Sequence, residues 1–184
     1  DPRFTGDKSA FDVFVEYEPV QDRGAAKHDP ARAFLAFEVK YHENLAKKGK
    51  HHARYDEVAE AMRAFVSERA GLRNPPVQQV WCDHLLAGSM LTAPPSATSR
   101  AWAAGTFVFL APKDNPHCTE AVAAYRRFLD PQLPGAKTFD AWTLEAFADA
   151  LRAETDASWV GAFVERYLDF TPVDAAIAAW GAKS

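Results

Sequence analysis

The segment Phe34-Leu35-Ala36-Phe37 carries no polar side chain, and at its end Glu38 and Lys40 appear two residues apart. Rich in aromatic and aliphatic residues, the segment 34–41 predicts a strand that is apolar on both faces and therefore buried on both sides. Side chains alternate along a strand, so Glu38 and Lys40 point the same way. Charged groups at the end of a buried strand are unexpected unless they are paired or functional. The chain must therefore build layers around this segment and also accommodate an acid and a base at its tip.

A second strand is predicted over Phe11-Asp12-Val13-Phe14-Val15-Glu16-Tyr17, from its β-branched and aromatic content. If it pairs antiparallel with 34–41 across the polar connection 18–32, its start lies beside the other strand's end. Asp12 then faces Glu38 or Lys40. Two carboxylates supply hard oxygen ligands for Mg²⁺, which keeps several waters and completes its shell with a substrate phosphate. Such an ion polarises the phosphate and lowers the pKa of bound water, and a lysine two residues from a ligand can orient that water or stabilise developing charge. An E-x-K tripeptide alone is common, and the competing reading is an ordinary surface pair. The buried strand that carries it sets this one apart.

Elsewhere, Tyr55, Val58, Ala59, Met62 and Phe65 recur at helical spacing and predict a helix over 53–69. Asn74-Pro75-Pro76 reads as a helix start, opening a helix with Val77, Val80, Trp81, His84 and Leu85 on one face. Thr106–Ala111 reads as a third buried strand, and a fourth is expected near 137–142. Helical patterns follow around 118–129, 143–152 and 157–169, with a last helix after Thr171-Pro172. The Trp and Phe residues near the C-terminus recur at helical spacing and are expected in the core. The fold class is therefore α/β, a small central sheet flanked by helices, in one domain over 1–184.

The 184 residues are 48% hydrophobic, enough for a sizeable core. The net charge of −4 gives no general attraction to nucleic acid, so a DNA-binding reading needs a local basic surface. Cys82 and Cys118 fit neither a disulfide scaffold nor a zinc pattern, and read as reduced thiols of a cytoplasmic protein. No apolar stretch reaches the ~20 residues of a membrane span, and no membrane partner is expected.

The segments FDVFVEYEP, FLAFEVKYHENL, RYDEVA, QQVWCDHLLAGSML, GTFVFLAPKDNP and RYLDF resemble a bacterial restriction-endonuclease-like family of the PD-(D/E)xK nuclease superfamily, over about residues 10 to 170. That resemblance implies a three-layer α/β/α core with a small mixed sheet, here with extra C-terminal helices. It implies metal-dependent phosphodiester hydrolysis with Mg²⁺ or Mn²⁺, DNA as the partner and, as in many enzymes that cut both strands, a homodimer as one arrangement. Asp12 and Glu38 match the metal ligands, Lys40 the catalytic lysine, and Val39 the position whose carbonyl completes the metal shell. The superfamily commonly places an acid on a helix before the first core strand. Only eleven residues precede Asp12, so the chain is expected to lack that helix. The runner-up is accordingly a nuclease-fold module without catalysis that binds nucleic acid or another partner. A helical interaction domain comes third, since it leaves Asp12, Glu38 and Lys40 unexplained.

Further candidates surround these. Glu43 and His42 are placed to support the ligands by hydrogen bonds, or form a solvated strand end. Glu16 shares the face of Asp12 but lies further from Glu38. Gln79, near a helix start, matches a glutamine that in related nucleases approaches metal or nucleic acid. Lys47, Lys48, Lys50, His51 and His52, with Arg54 nearby, form a basic loop where a phosphate backbone could pass; of these, Lys47, Lys48 and Lys50 are the candidate nucleic-acid contacts. His84, on an apolar stripe, reads as a hydrogen-bonded core histidine.

Overall fold

The computed structural model describes residues 4–19, 32–93 and 101–181. Within the polar connection 18–32, the sequences Asp22-Arg23-Gly24 and Asp29-Pro30, which read as turns, lie outside the described residues. The chain divides into two compact units, Asp1–Ala141 and Trp142–Ser184.

The first unit is built on strands β1 (Val13–Tyr17), β2 (Ala33–Val39) and β3 (Ala104–Ala111) and helices α1 (Ala53–Met62), α2 (Gln78–Thr92) and α3 (Pro116–Arg126). With β4 (Phe139–Thr143) they form a mixed α/β fold around a four-stranded sheet of order β1-β2-β3-β4. β1 runs antiparallel to β2, and β2 parallel to β3. A parallel pair needs a crossover, and α1 and α2 supply it between β2 and β3. β1 is an edge strand with exposed side chains, whereas β2 and β3 are the buried strands predicted from their apolar runs. In β3, Phe107, Phe109 and Ala111 join the main core, and Val108 and Leu110 on the opposite face are also buried. The core centres on Phe34, Trp81, Leu85, Phe107 and Tyr125, all 2% exposed or less.

Several boundaries differ from expectation: β1 starts at Val13, so Asp12 precedes it, α3 ends at Arg126 rather than 129, and two helix boundaries differ for a visible reason. Helix α1 stops at Met62 rather than 69, because Arg63 takes a left-handed conformation (φ 51°). The following backbone is then drawn to another partner. Val66 N donates to Phe128 O at 2.9 Å, Asp130 N donates to Ala64 O at 3.0 Å, and Phe65 bridges Leu129. Helix α2 begins at Gln78 and not directly after Asn74, since a turn at Pro75–Val77 intervenes. Asn74 still assists through its carbonyl, which accepts from Gln78 N at 3.0 Å.

The second unit holds α4 (Leu144–Glu154), α5 (Ser158–Tyr167) and α6 (Thr171–Gly181), as the late helical patterns predict. Leu144, Ala148 and Val160 are buried. The expectation that the C-terminal aromatic residues are core is corrected: Trp159 is 55% exposed, Phe170 44% and Trp180 78%. Helical spacing shows which side chains share a face, and says nothing of whether that face is covered.

Gly105 lies opposite Phe34 in the β2–β3 ladder, and a Cβ there would stand 2.3 Å from ring atoms of Phe34. Phe34 is fully buried and has no room to retreat. Gly105→Ala is expected to lower stability by about 1–3 kcal/mol through overpacking, read as a lower urea midpoint; an unchanged midpoint would contradict this packing.

Candidate active site

The pairing of Val13 with Phe37 and of Tyr17 with Ala33 sets the register of the hairpin. Continued one residue further, that register brings Asp12 opposite Glu38. The junction is fastened by a hydrogen bond, Val39 N donating to Asp12 Oδ2 at 2.9 Å. Lys40 is held at the strand end by its own N–H, which donates to Leu110 O of β3 at 2.8 Å. Its ammonium donates to Glu38 Oε1 at 2.5 Å. Glu38 is 7% exposed and Lys40 8%, so this ion pair is buried. Asp12 itself is exposed.

Charges around the pair are unbalanced. Burial pushes the Glu38 carboxyl above its usual range, and Asp12 and Glu43 add to this against the pull of Lys40. Burial works to lower Lys40, but Glu38, Glu43 and Asp83 outweigh it and hold the ammonium above its usual value. Burial is the main cause of the Glu38 shift, and the acids gathered around Lys40 are the cause of the shift in Lys40. Glu43 is bent back onto the chain, accepting from Tyr41 N at 2.8 Å and His42 N at 3.1 Å. Burial works to raise its carboxyl, and these backbone N–H groups with the charge of Lys40 keep it below the usual range.

Helix α2 closes the site from the side. Gln79 Nε2 donates to Glu38 Oε1 at 3.4 Å, a long bond that places this glutamine at the acid end of β2. Its neighbour Gln78 holds the basic loop: Gly49 N donates to Gln78 Oε1 at 2.7 Å, and Gln78 Nε2 donates to Gly49 O at 3.2 Å. The same helix end thus fixes the loop and reaches the carboxylate. The loop is exposed, as expected of a solvated segment. Lys48 donates to Asn74 Oδ1 at 2.8 Å. His51 and Arg54 are engaged with Asp56 and Glu57, so the basic character of the loop rests on Lys47, Lys48 and Lys50.

A family model described as the PD-(D/E)XK nuclease superfamily matches residues 1–169. The chain belongs to this superfamily. Searches of the curated proteins and of the solved structures gave no match. Membership agrees with the mixed α/β sheet, and the match spans residues of both compact units.

Within this superfamily member the other candidates take structural places. Glu16 forms a two-point ion pair with Arg32 (2.6 and 2.9 Å) away from Glu38. His84 is fully buried between Tyr125 Oη (2.6 Å) and Thr138 Oγ1 (2.7 Å), the core histidine that its apolar stripe predicts. Cys82 and Cys118 are free thiols. Among the described residues no helix is long and apolar enough to cross a membrane, and no group of three or more His, Cys, Asp or Glu side chains is gathered closely enough to hold a metal alone.

Sequence reasoning gave the helix-start role to Gln79 and did not foresee the clamp made by Gln78, and it missed Asp83. Asp83 is 8% exposed, and its Oδ2 has no hydrogen-bond partner. Burial drives its carboxyl well above the usual range, with Glu38 adding to the shift. The available signal was an acid set among Val80, Trp81, Cys82 and Leu85, four residues after Gln79 and so on the same helical face.

Burial lowers the pKa of His84 from 6.5 to about 3. Below pH 6.5 the unfolded chain takes up a proton that the folded chain refuses, so stability is present above 6.5 and is lost as pH falls toward about 3. Acid unfolding followed by tryptophan fluorescence is expected to show that decline. His84→Gln, less stable at neutral pH, should flatten it; an equal slope in both proteins would contradict the assignment.

Proposed function

We propose that this protein is a divalent-cation-dependent nuclease that hydrolyses phosphodiester bonds of DNA, with Asp12, Glu38 and Lys40 at its centre. The observation that carries the reading is the hairpin register, which sets Asp12 opposite Glu38 while Lys40 bonds to Glu38.

The donor set fits Mg²⁺ or Mn²⁺. Asp12 and Glu38 offer hard carboxylate oxygens, the acids around Lys40 exceed the one lysine, and Asp83 Oδ2 lacks a partner. With two carboxylates as side-chain ligands, the Val39 carbonyl, water and substrate phosphate would complete the shell. Bound there, a divalent ion would polarise the scissile phosphate and acidify a water molecule.

The protein's own groups do the rest. Lys40 keeps its proton because the surrounding acids favour the ammonium, which suits it to stabilise charge developing on the phosphate and to orient the attacking water. Gln79 steadies Glu38 and stands ready to meet the substrate. Glu43 acts one step removed, through its field on both Glu38 and Lys40. Lys47, Lys48 and Lys50 would carry the phosphate backbone past the site, on a loop that Gln78 fixes to the head of α2.

The net charge of −4 favours a second reading, a nuclease-fold module that binds without cutting. Such a module would bind nucleic acid or another partner and cleave no DNA. Cleavage of plasmid and single-stranded DNA with Mg²⁺, Mn²⁺ or EDTA separates the two. Wild type is expected to cut only with the cation, and Lys40→Ala to lose about 10²-fold or more. Equal cleavage by both proteins would assign the activity to a contaminant.

Replacing Lys47, Lys48 and Lys50 together by Ala should weaken DNA binding and lower the slope of log affinity against log salt by about one per lysine. An unchanged slope, measured by fluorescence anisotropy, would remove the loop from the interface.

A further inference from the structure

Gln79 and Asp83 are four residues apart on α2 and share one face of the helix. Gln79 reaches Glu38, so that face looks onto the acid end of β2. One turn further on, Asp83 is more than nine-tenths buried and leaves Oδ2 without a hydrogen-bond partner. The charges it feels most are those of Glu38, Lys40 and Asp12, the three residues already placed in the site. A buried carboxylate oxygen without a partner is costly, and a structure that keeps one has a reason to do so.

Lys40 does not relieve it: its ammonium bonds Glu38 Oε1 and makes no bond to Asp83 Oδ2. A positive group or its water can answer the orphaned oxygen. Asp83 also does not converge with Asp12 and Glu38 on a single point, since no three such side chains among the described residues do so. Its burial and its place outside any three-acid cluster suit it to a ligand water rather than to an ion directly. A hydrated Mg²⁺ or Mn²⁺ retains several waters, each with protons to donate.

Resting on the nuclease reading above, we propose that Asp83 is a further acidic residue of this site, presenting Oδ2 to a water carried by the divalent cation that Asp12 and Glu38 hold. Asp83 is thus a positioning residue. It fixes the hydrated ion against the helix that also carries Gln79, and so couples cation binding to the wall of the site formed by α2. Sequence alone gives no such role, because Asp83 lies on the helix beyond the E-x-K strand and outside that motif.

Calorimetric titration of Mn²⁺ into the full chain without DNA tests this. Wild type should bind with Glu38-dependent affinity, and Asp83→Asn should bind about 10–100-fold more weakly, the range for partners that act through a ligand. Thermal unfolding without cation reports whether Asp83→Asn still folds. Independently of any variant, the ¹³Cγ resonance of Asp83 in wild type should move as Mg²⁺ is added. Equal Mn²⁺ affinity in wild type and Asp83→Asn would overturn this role while leaving the nuclease reading intact. An Asp83 resonance that stays fixed while that of Glu38 moves would do the same. Absence of cation binding to wild type would overturn both.

Discussion

The buried bond between Lys40 and Glu38 is the constraint around which the rest of the site is arranged. Removing an ammonium and a carboxylate from water costs several kcal/mol per ion before their attraction repays any of it, and apolar replacements of similar volume often do no harm. A buried ion pair is therefore weak evidence of a stabilising device. Its surroundings show what else is gathered there. β2 carries the pair at its tip, β3 anchors Lys40 through Leu110 O, and β1 delivers Asp12 through the Val39 N–H. The Asp12 bond depends on the β1–β2 register and the Leu110 bond on the β2–β3 register, and a slip of β2 by one residue would turn Glu38 and Lys40 to the other face.

From that pair outward, acids outnumber bases. Asp12, Glu43 and Asp83 each act electrostatically on Glu38 or Lys40, and Lys40 is the cation that answers them among the described residues. Such an excess suits a site completed by a cation and opposed to random anion binding. Helix α2 places three polar residues here within six positions: Gln78 clamps the basic loop at Gly49, Gln79 touches Glu38, and Asp83 lies one turn further on in the field of Glu38 and Lys40. The helix therefore links the carboxylates to the surface over which a phosphate chain would run.

Much of this was legible in the sequence because it rests on short-range rules. Strand parity placed Glu38 and Lys40 together, and the antiparallel hairpin placed Asp12 opposite one or the other, the register choosing Glu38. The unbroken run at 106–111 identified a buried strand, and the stripe around His84 identified a core histidine. What escaped was set by tertiary contacts. The end of α1 depends on Phe65 and Ala64 finding the 128–130 segment, which no local pattern shows. The exposure of Trp159 and Trp180 depends on what lies against their helices, whereas periodicity reports only the helices themselves. Asp83 was passed over because a search for E-x-K chemistry stays on the strands, although one acid within the apolar run of α2 was visible all along.

Crystals of the protein grown with Mn²⁺, with anomalous scattering recorded at the manganese edge, test the central claim most directly. The account predicts one strong peak between Asp12 and Glu38, about 2.2 Å from a carboxylate oxygen of each, with a ligand water directed at Asp83. Saturating Mn²⁺ that leaves this end of β2 without anomalous density would contradict it.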